Sequence, residues 1–355
     1  MQYLLFVVLL KWDDPRFLKK AVFCNKNHLR VLHPMSAKIL STYVKNFQFF
    51  PKSSIYDDDA KYRISEFNRH VATLYLIVRT KKVRFLPETF RVGADYSFLG
   101  LVDIAGNQHP IQFSCVDILF KHPDIKKNFR TREDFIEFCM RQWHDSARPY
   151  LTSSQKYAEE AFVDTEKSKA NRLVVECPVR RSITKEQIGE VILSPYHLLN
   201  TANTACLAPL EIIYIGKSND DTWKRIYNHN KWGLIEEHKD ESEELLVYFL
   251  EIDKSSIVDH SVNGFRMIAR DESELSIEDA TVATEAALIN YFVKEKKFND
   301  QHVGSDITKS ETIIKRVKSR GYTDLVVECD LEGPFGVLGT KSSGFSRRHS
   351  VEYKL

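Results

Sequence analysis

Short β-branched and aromatic runs, separated by turn residues, alternate along this chain with a smaller number of segments at helical spacing. Strands are predicted over 73–78 (Thr73-Leu74-Tyr75-Leu76-Ile77-Val78), 98–104, 111–116, 173–175, 212–215, 245–252 and 325–329. The turn Ala105-Gly106-Asn107 predicts that 98–104 and 111–116 pair as a hairpin. The strand over 245–252 is expected to lie beside 212–215. Helical periodicity covers 131–144 (Phe135, Phe138, Cys139, Gln142), 153–172, 276–294 and 312–318, with a further helix start at 182–187. The aromatic run Asn46-Phe47-Gln48-Phe49-Phe50 reads as core, and Asp57-Asp58-Asp59 as a solvated loop. The apolar opening over 3–10 lacks a basic flank and a small-residue cleavage site. It is also too short to span a bilayer, so it reads as a buried strand.

This order of elements predicts an α+β protein. A length of 355 residues favours two domains, and 43% hydrophobic with 12% aromatic content is enough for substantial cores. The net charge of +2 hides an asymmetry. Residues 1–180 carry 29 Lys+Arg against 20 Asp+Glu, a net +9, and the remainder carries a net −7. The expected division is therefore a basic mixed α/β module over 1–180, suited to nucleic-acid or target recognition, and a second domain over 181–355. Two basic clusters are the candidate phosphate contacts: Lys81, Lys82 and Arg84, then Lys126, Lys127 and Arg130. Six scattered cysteines form no Cys-x-x-Cys pair. That argues against structural zinc and for a reduced, cytoplasmic setting.

The densest candidate chemistry lies in a strand–glycine–helix stretch. Tyr214 ends an apolar strand, Gly216 breaks it, Lys217 follows, and Arg225 and His229 stand four apart on the next predicted helix. A guanidinium and an imidazole projecting together would suit a phosphodiester. Further on, Glu285 sits among small and apolar residues in Thr284-Glu285-Ala286-Ala287-Leu288-Ile289. A carboxylate there is costly unless it is paired or holds a metal.

The ordered set Tyr214-Ile215-Gly216-Lys217, Arg225, His229, Glu285 and Asn299, the last in Lys297-Phe298-Asn299, resembles the GIY-YIG nuclease superfamily over about residues 190–300. The resemblance implies a small sheet flanked by helices and hydrolysis of a phosphodiester with one divalent metal. Glu285 would hold Mg²⁺ (or Mn²⁺), and Arg225 would stabilise charge on the phosphate. Tyr214 would line the site and position or activate water. Lys217 and His229 would orient the phosphate or shuttle protons. Gly216 and Asn299 would support the site, Asn299 by fixing the end of its helix. One departure concerns the family's first motif, whose tyrosine lies about ten residues before the second. Residues 199–204 contain none. Tyr196, His197 and Tyr214 all remain candidates for the general base.

The function implied is a metal-dependent endonuclease, DNA favoured, with restriction or anti-phage defence as the analogy for a cutter fused to a recognition module. Its partners would be nucleic acid, with a homodimer or a defence-system protein as the assembly and no membrane. Two alternatives stay open: an RNA-directed nuclease, and an impaired GIY-YIG-fold protein that binds nucleic acid or another partner without cutting.

Overall fold

The computed structural model describes residues 37–56, 72–93, 95–120, 123–142, 149–179, 189–201, 208–218, 222–262, 265–294, 298–299, 311–331 and 336–355. The expected strand at 3–10, the acids at 57–59 and the helix start at 182–187 lie outside these residues.

The chain is mixed α and β, compatible with the α+β expectation. Strands β1 (Ala37–Pro51) and β2 (Ala72–Lys81) belong to a nine-stranded sheet, which the chain leaves at Lys82. An insertion follows. Strands β3 (Val83–Val92), β4 (Ser97–Ile104) and β5 (Asn107–Ser114) form an antiparallel meander. The β4–β5 turn has positive φ at Ala105 (52°) and Gly106 (90°), the twist that a two-residue hairpin turn needs. Helices α1 (Cys115–Phe120), α2 (Pro123–Asn128), α3 (Arg132–Gln142) and α4 (Ser153–Glu160) come next. Helix α4 opens on a capping box between Thr152 and Gln155 and ends at Glu160. The helical pattern expected to run on towards 172 gives way there to β6 (Phe162–Val163), which pairs with β7 (Leu173–Glu176). β8 (Glu190–Leu193) completes that small sheet. Helix α5 (Pro195–Thr201) leads back to the large sheet.

β9 (Pro209–Lys217) re-enters the sheet directly beside β2. Short helices α6 (Thr222–Tyr227) and α7 (Trp232–Glu237) precede the 20-residue β10 (Glu243–Val262) and its partner β11 (Phe265–Glu272). Helix α8 (Ile277–Phe292), capped by the Ser276 hydroxyl, is followed by α9 (Glu311–Ser319). The remaining strands are β12 (Asp324–Asp330), β13 (Val337–Thr340), β14 (Gly344–Ser346) and β15 (Arg348–Lys354). Across the sheet the order is β14-β13-β9-β2-β10-β1-β12-β15, with β11 on β10.

This topology corrects two expectations. The sheet hydrogen-bonds strands from both sides of residue 180, so the boundary near 180 separates no two sheets. The strand over 245–252 also does not lie beside 212–215. It pairs with β2 on one side and β1 on the other, and β2 takes the place next to β9.

The sheet has two apolar faces, as strand alternation requires. Leu74, Leu76 and Val78 of β2 face a core shared with α8 and the inserted module. Ala280, Ala283, Ala286 and Ala287 bring that helix close to the strands. Tyr75 and Ile77 face the other way and pack with Phe50, Val247 and Phe249 from neighbouring strands and with Ile226, Trp232 and Ile235 from α6 and α7. Phe49 and Phe50 are buried, one in each core.

Candidate active site

The antiparallel register of β2 on β9 places Tyr75 opposite Gly216 and Ile77 opposite Tyr214. Tyr75 and Tyr214 therefore share a face, with ring centroids 5.9 Å apart and planes at 22°. Gly216 makes this possible. A Cβ there would lie 2.5 Å from the Tyr75 ring and hydroxyl and 2.7 Å from the Tyr214 ring. Gly216→Ala is thus expected to destabilise the fold by about 1–3 kcal/mol through overpacking, read as a lower urea midpoint.

The Tyr75 hydroxyl is buried and interacts with the Tyr214 hydroxyl and the Arg225 guanidinium. Burial, reinforced by Tyr214, pushes its pKa well up, so the phenol stays protonated at neutral pH.

Arg225 is exposed on α6. His229 does not share its face. The helix ends at Tyr227, and the His229 ring tucks under the tyrosines, only 4% exposed. It meets Tyr214 edge-on at 4.6 Å and Tyr75 at 5.9 Å. Its Nδ1 accepts the Lys231 backbone N–H at 3.2 Å, which places the proton on Nε2, and Nε2 has no partner. Burial first, then Arg225 and Lys231, lowers its pKa to about 4, so the ring is neutral at pH 7.

Glu285 approaches from the other face on α8. Its carboxylate lies 3.9 Å from the Lys217 Nζ, with the Glu285 side chain 16% exposed. Burial raises its pKa to about 7, against the lowering influence of Lys217 and Arg225. Arg225 therefore acts on both Tyr75 and Glu285, and the end of β9 is where the two faces meet.

Asn299 fixes this strand end rather than its own helix. Its Oδ1 accepts the Ile215 N–H at 3.2 Å and its Nδ2 donates to the Ile215 carbonyl at 2.7 Å. β13 pairs with β9 only over Pro209–Glu211, so Asn299 substitutes for the missing neighbour strand. Asn299→Ala leaves both Ile215 groups short of partners. The expected cost is about 2–3 kcal/mol, with faster amide exchange at Ile215 as the local readout.

Other expected site residues are placed elsewhere. Tyr196 is 3% exposed, and its hydroxyl accepts the Val83 N–H at 3.1 Å and donates to the Lys81 carbonyl at 3.4 Å, where the chain leaves the large sheet. His197 stacks on Phe49 at 4.5 Å and bonds Ser194. Neither is part of the tyrosine cluster; Tyr75 occupies that place. The only sequence signal for it was a tyrosine centred in a strand, which reads equally as core. In the basic stretch 79–84, Arg79 is held by Glu211 and Glu243, and Lys81 by Glu243. Lys82 is half-buried and Arg84 exposed, while Lys126, Lys127 and Arg130 are exposed on and just after α2.

Among the described residues no three His, Cys, Asp or Glu side chains converge as a metal cage. A single buried carboxylate with a raised pKa does fit a hard Mg²⁺ or Mn²⁺ that keeps waters and takes substrate oxygens, because a cation offsets the cost of ionising Glu285. Compared with family models, curated proteins and solved structures, the chain gives no match.

Proposed function

We propose that this chain is a metal-dependent endonuclease of the GIY-YIG type that hydrolyses nucleic-acid phosphodiesters, with DNA as the favoured substrate. The observation that carries the reading is the meeting of Tyr75, Tyr214, Lys217, Arg225 and Glu285 at one end of β9, with the buried Tyr75 hydroxyl interacting with Tyr214 and Arg225. Tyr75 answers the gap in the first motif. It stands on the strand next to Tyr214, with the whole insertion from 82 to 208 lying between them in sequence. The same position weakens the alternative of an impaired scaffold, which drew on a missing tyrosine.

Glu285 would hold the divalent ion, which supplies Lewis-acid stabilisation of developing charge on the phosphate. The exposed guanidinium of Arg225 and the Lys217 ammonium add fixed positive charge beside it. Tyr75 stays protonated and works by position: from beneath, its phenol fixes the Tyr214 hydroxyl and the Arg225 guanidinium that face the phosphate. Neutral His229 braces the two tyrosine rings from beneath, which suits it better than shuttling protons. The inserted module over 82–208 would supply target recognition from its exposed cations on and beside α2.

The test incubates purified full chain with supercoiled plasmid and with RNA, in Mg²⁺ and in chelator. Cleavage of either substrate that needs Mg²⁺ and disappears in Glu285→Ala is the expected result. No cleavage of either overturns the reading.

A further inference from the structure

Beside this site lies an aromatic cluster that the hydrolytic chemistry does not use. Trp223 and Tyr227 stand four residues apart on α6, with ring centroids 4.9 Å apart. The Trp223 indole N–H donates to the Ile55 carbonyl at 3.2 Å and anchors the group to the turn that follows β1. Tyr56 meets Tyr227 edge-on at 5.2 Å. Tyr227 is 44% exposed and Tyr56 46% exposed, and among the described residues they are the one pair of exposed rings in contact.

Two rings fixed against each other and left in water are a binding surface rather than core. Their surroundings identify the occupant. The Lys52 ammonium lies 5.4 Å from the Tyr56 ring and 5.4 Å from the Trp232 ring, held there by Glu236 at 2.9 Å. Lys224 is exposed on the same helical turn, and Arg225, which faces the candidate phosphate site, is on the opposite flank of the same helix. An apolar protein partner would meet the Lys52 and Lys224 ammonium groups here, whereas a polynucleotide meets cations for its phosphates and rings for its bases.

We propose that Tyr227 and Tyr56 form a stacking platform for an unpaired nucleobase, about one helix width (~10 Å) from the phosphate held by Arg225. The inference rests on the nucleic-acid reading above and narrows it. The substrate carries a single-stranded or unstacked nucleotide next to the cleaved bond, because a base inside a continuous duplex cannot present its face to the rings.

The experiment measures binding of the full chain, in chelator, to a single-stranded oligonucleotide containing 2-aminopurine and to a blunt duplex of the same sequence. Tyr227→Ala combined with Tyr56→Ala should weaken single-strand binding by about tenfold and abolish the 2-aminopurine quenching, with duplex binding unchanged. Tyr227→Phe, which keeps the ring, should bind as the native chain does. Unchanged duplex binding shows that the variants are folded. Equal losses on both probes, no loss on either, or no nucleic-acid binding by the native chain overturns the platform. If the native chain cuts nothing but the Ala variant selectively loses single-strand binding, the platform stands and the nuclease reading falls. If it cuts in Mg²⁺ and the Ala variant binds single strands normally, the platform alone falls.

Discussion

Glu285→Gln is expected to abolish Mg²⁺-dependent cleavage and, in the same molecule, to make the fold more stable at pH 8. The first effect follows from losing the carboxylate proposed to hold the ion. Lewis-acid stabilisation is worth several kcal/mol, so the rate should fall by about 10³-fold or more. The second follows from burial. The Glu285 carboxyl is raised from 4.5 to about 7 in the folded chain. The folded state therefore holds this proton more tightly than the unfolded state. The resulting stability is fully present below pH 4.5 and is lost as pH rises through 7. At pH 8 the native chain carries nearly the whole cost, about 3 kcal/mol, and the amide variant escapes it. Urea unfolding in chelator checks this: the variant should gain at pH 8 and match the native chain near pH 4. Added Mg²⁺ should stabilise the native chain and leave the variant unmoved. A variant no more stable than the native chain at pH 8 would show that Glu285 is not buried as a strained carboxylate.

Tyr75→Phe is expected to slow cleavage by about 10²-fold while leaving the fold intact. Removing a buried hydroxyl usually costs stability because a partner is stranded. Here the groups beside it, Tyr214 and Arg225, are half-buried and exposed, so water can replace what the hydroxyl gave them. The ring stays to fill the space over Gly216 and against Tyr214 and His229.

Local pattern made much of this fold legible. The β4–β5 hairpin, β7, β9, β10, β12 and the helix carrying Glu285 were all readable from alternation, helical spacing and turn residues, because those signals act over a few residues. The pairing of β2 with β9 was not, since the insertion over 82–208 separates two strands that touch, and nothing in either strand encodes that contact. Tyr75 was therefore visible only as a core strand residue, and Tyr196, nearer to Tyr214 in sequence, was the candidate. Charge misled for a related reason. Arg79 belongs to the basic half of the chain but spends its charge on Glu211 and Glu243 of the acidic half, across the same sheet. His229 was expected to project from the helix together with Arg225; the helix stops at Tyr227 and burial of the ring outweighs helical spacing. Glu285 and Asn299 lay within the motif set, but the Asn299 bonds to Ile215 could be seen only once the open edge of β9 was placed.

The most direct measurement compares single-turnover, Mg²⁺-dependent cleavage rates of the native chain, Tyr75→Phe and Tyr196→Phe on one labelled substrate. The account predicts at least about a hundredfold loss in Tyr75→Phe and a near-native rate in Tyr196→Phe. Native-rate cleavage by Tyr75→Phe, or loss confined to Tyr196→Phe, would contradict the assignment of Tyr75 to the site.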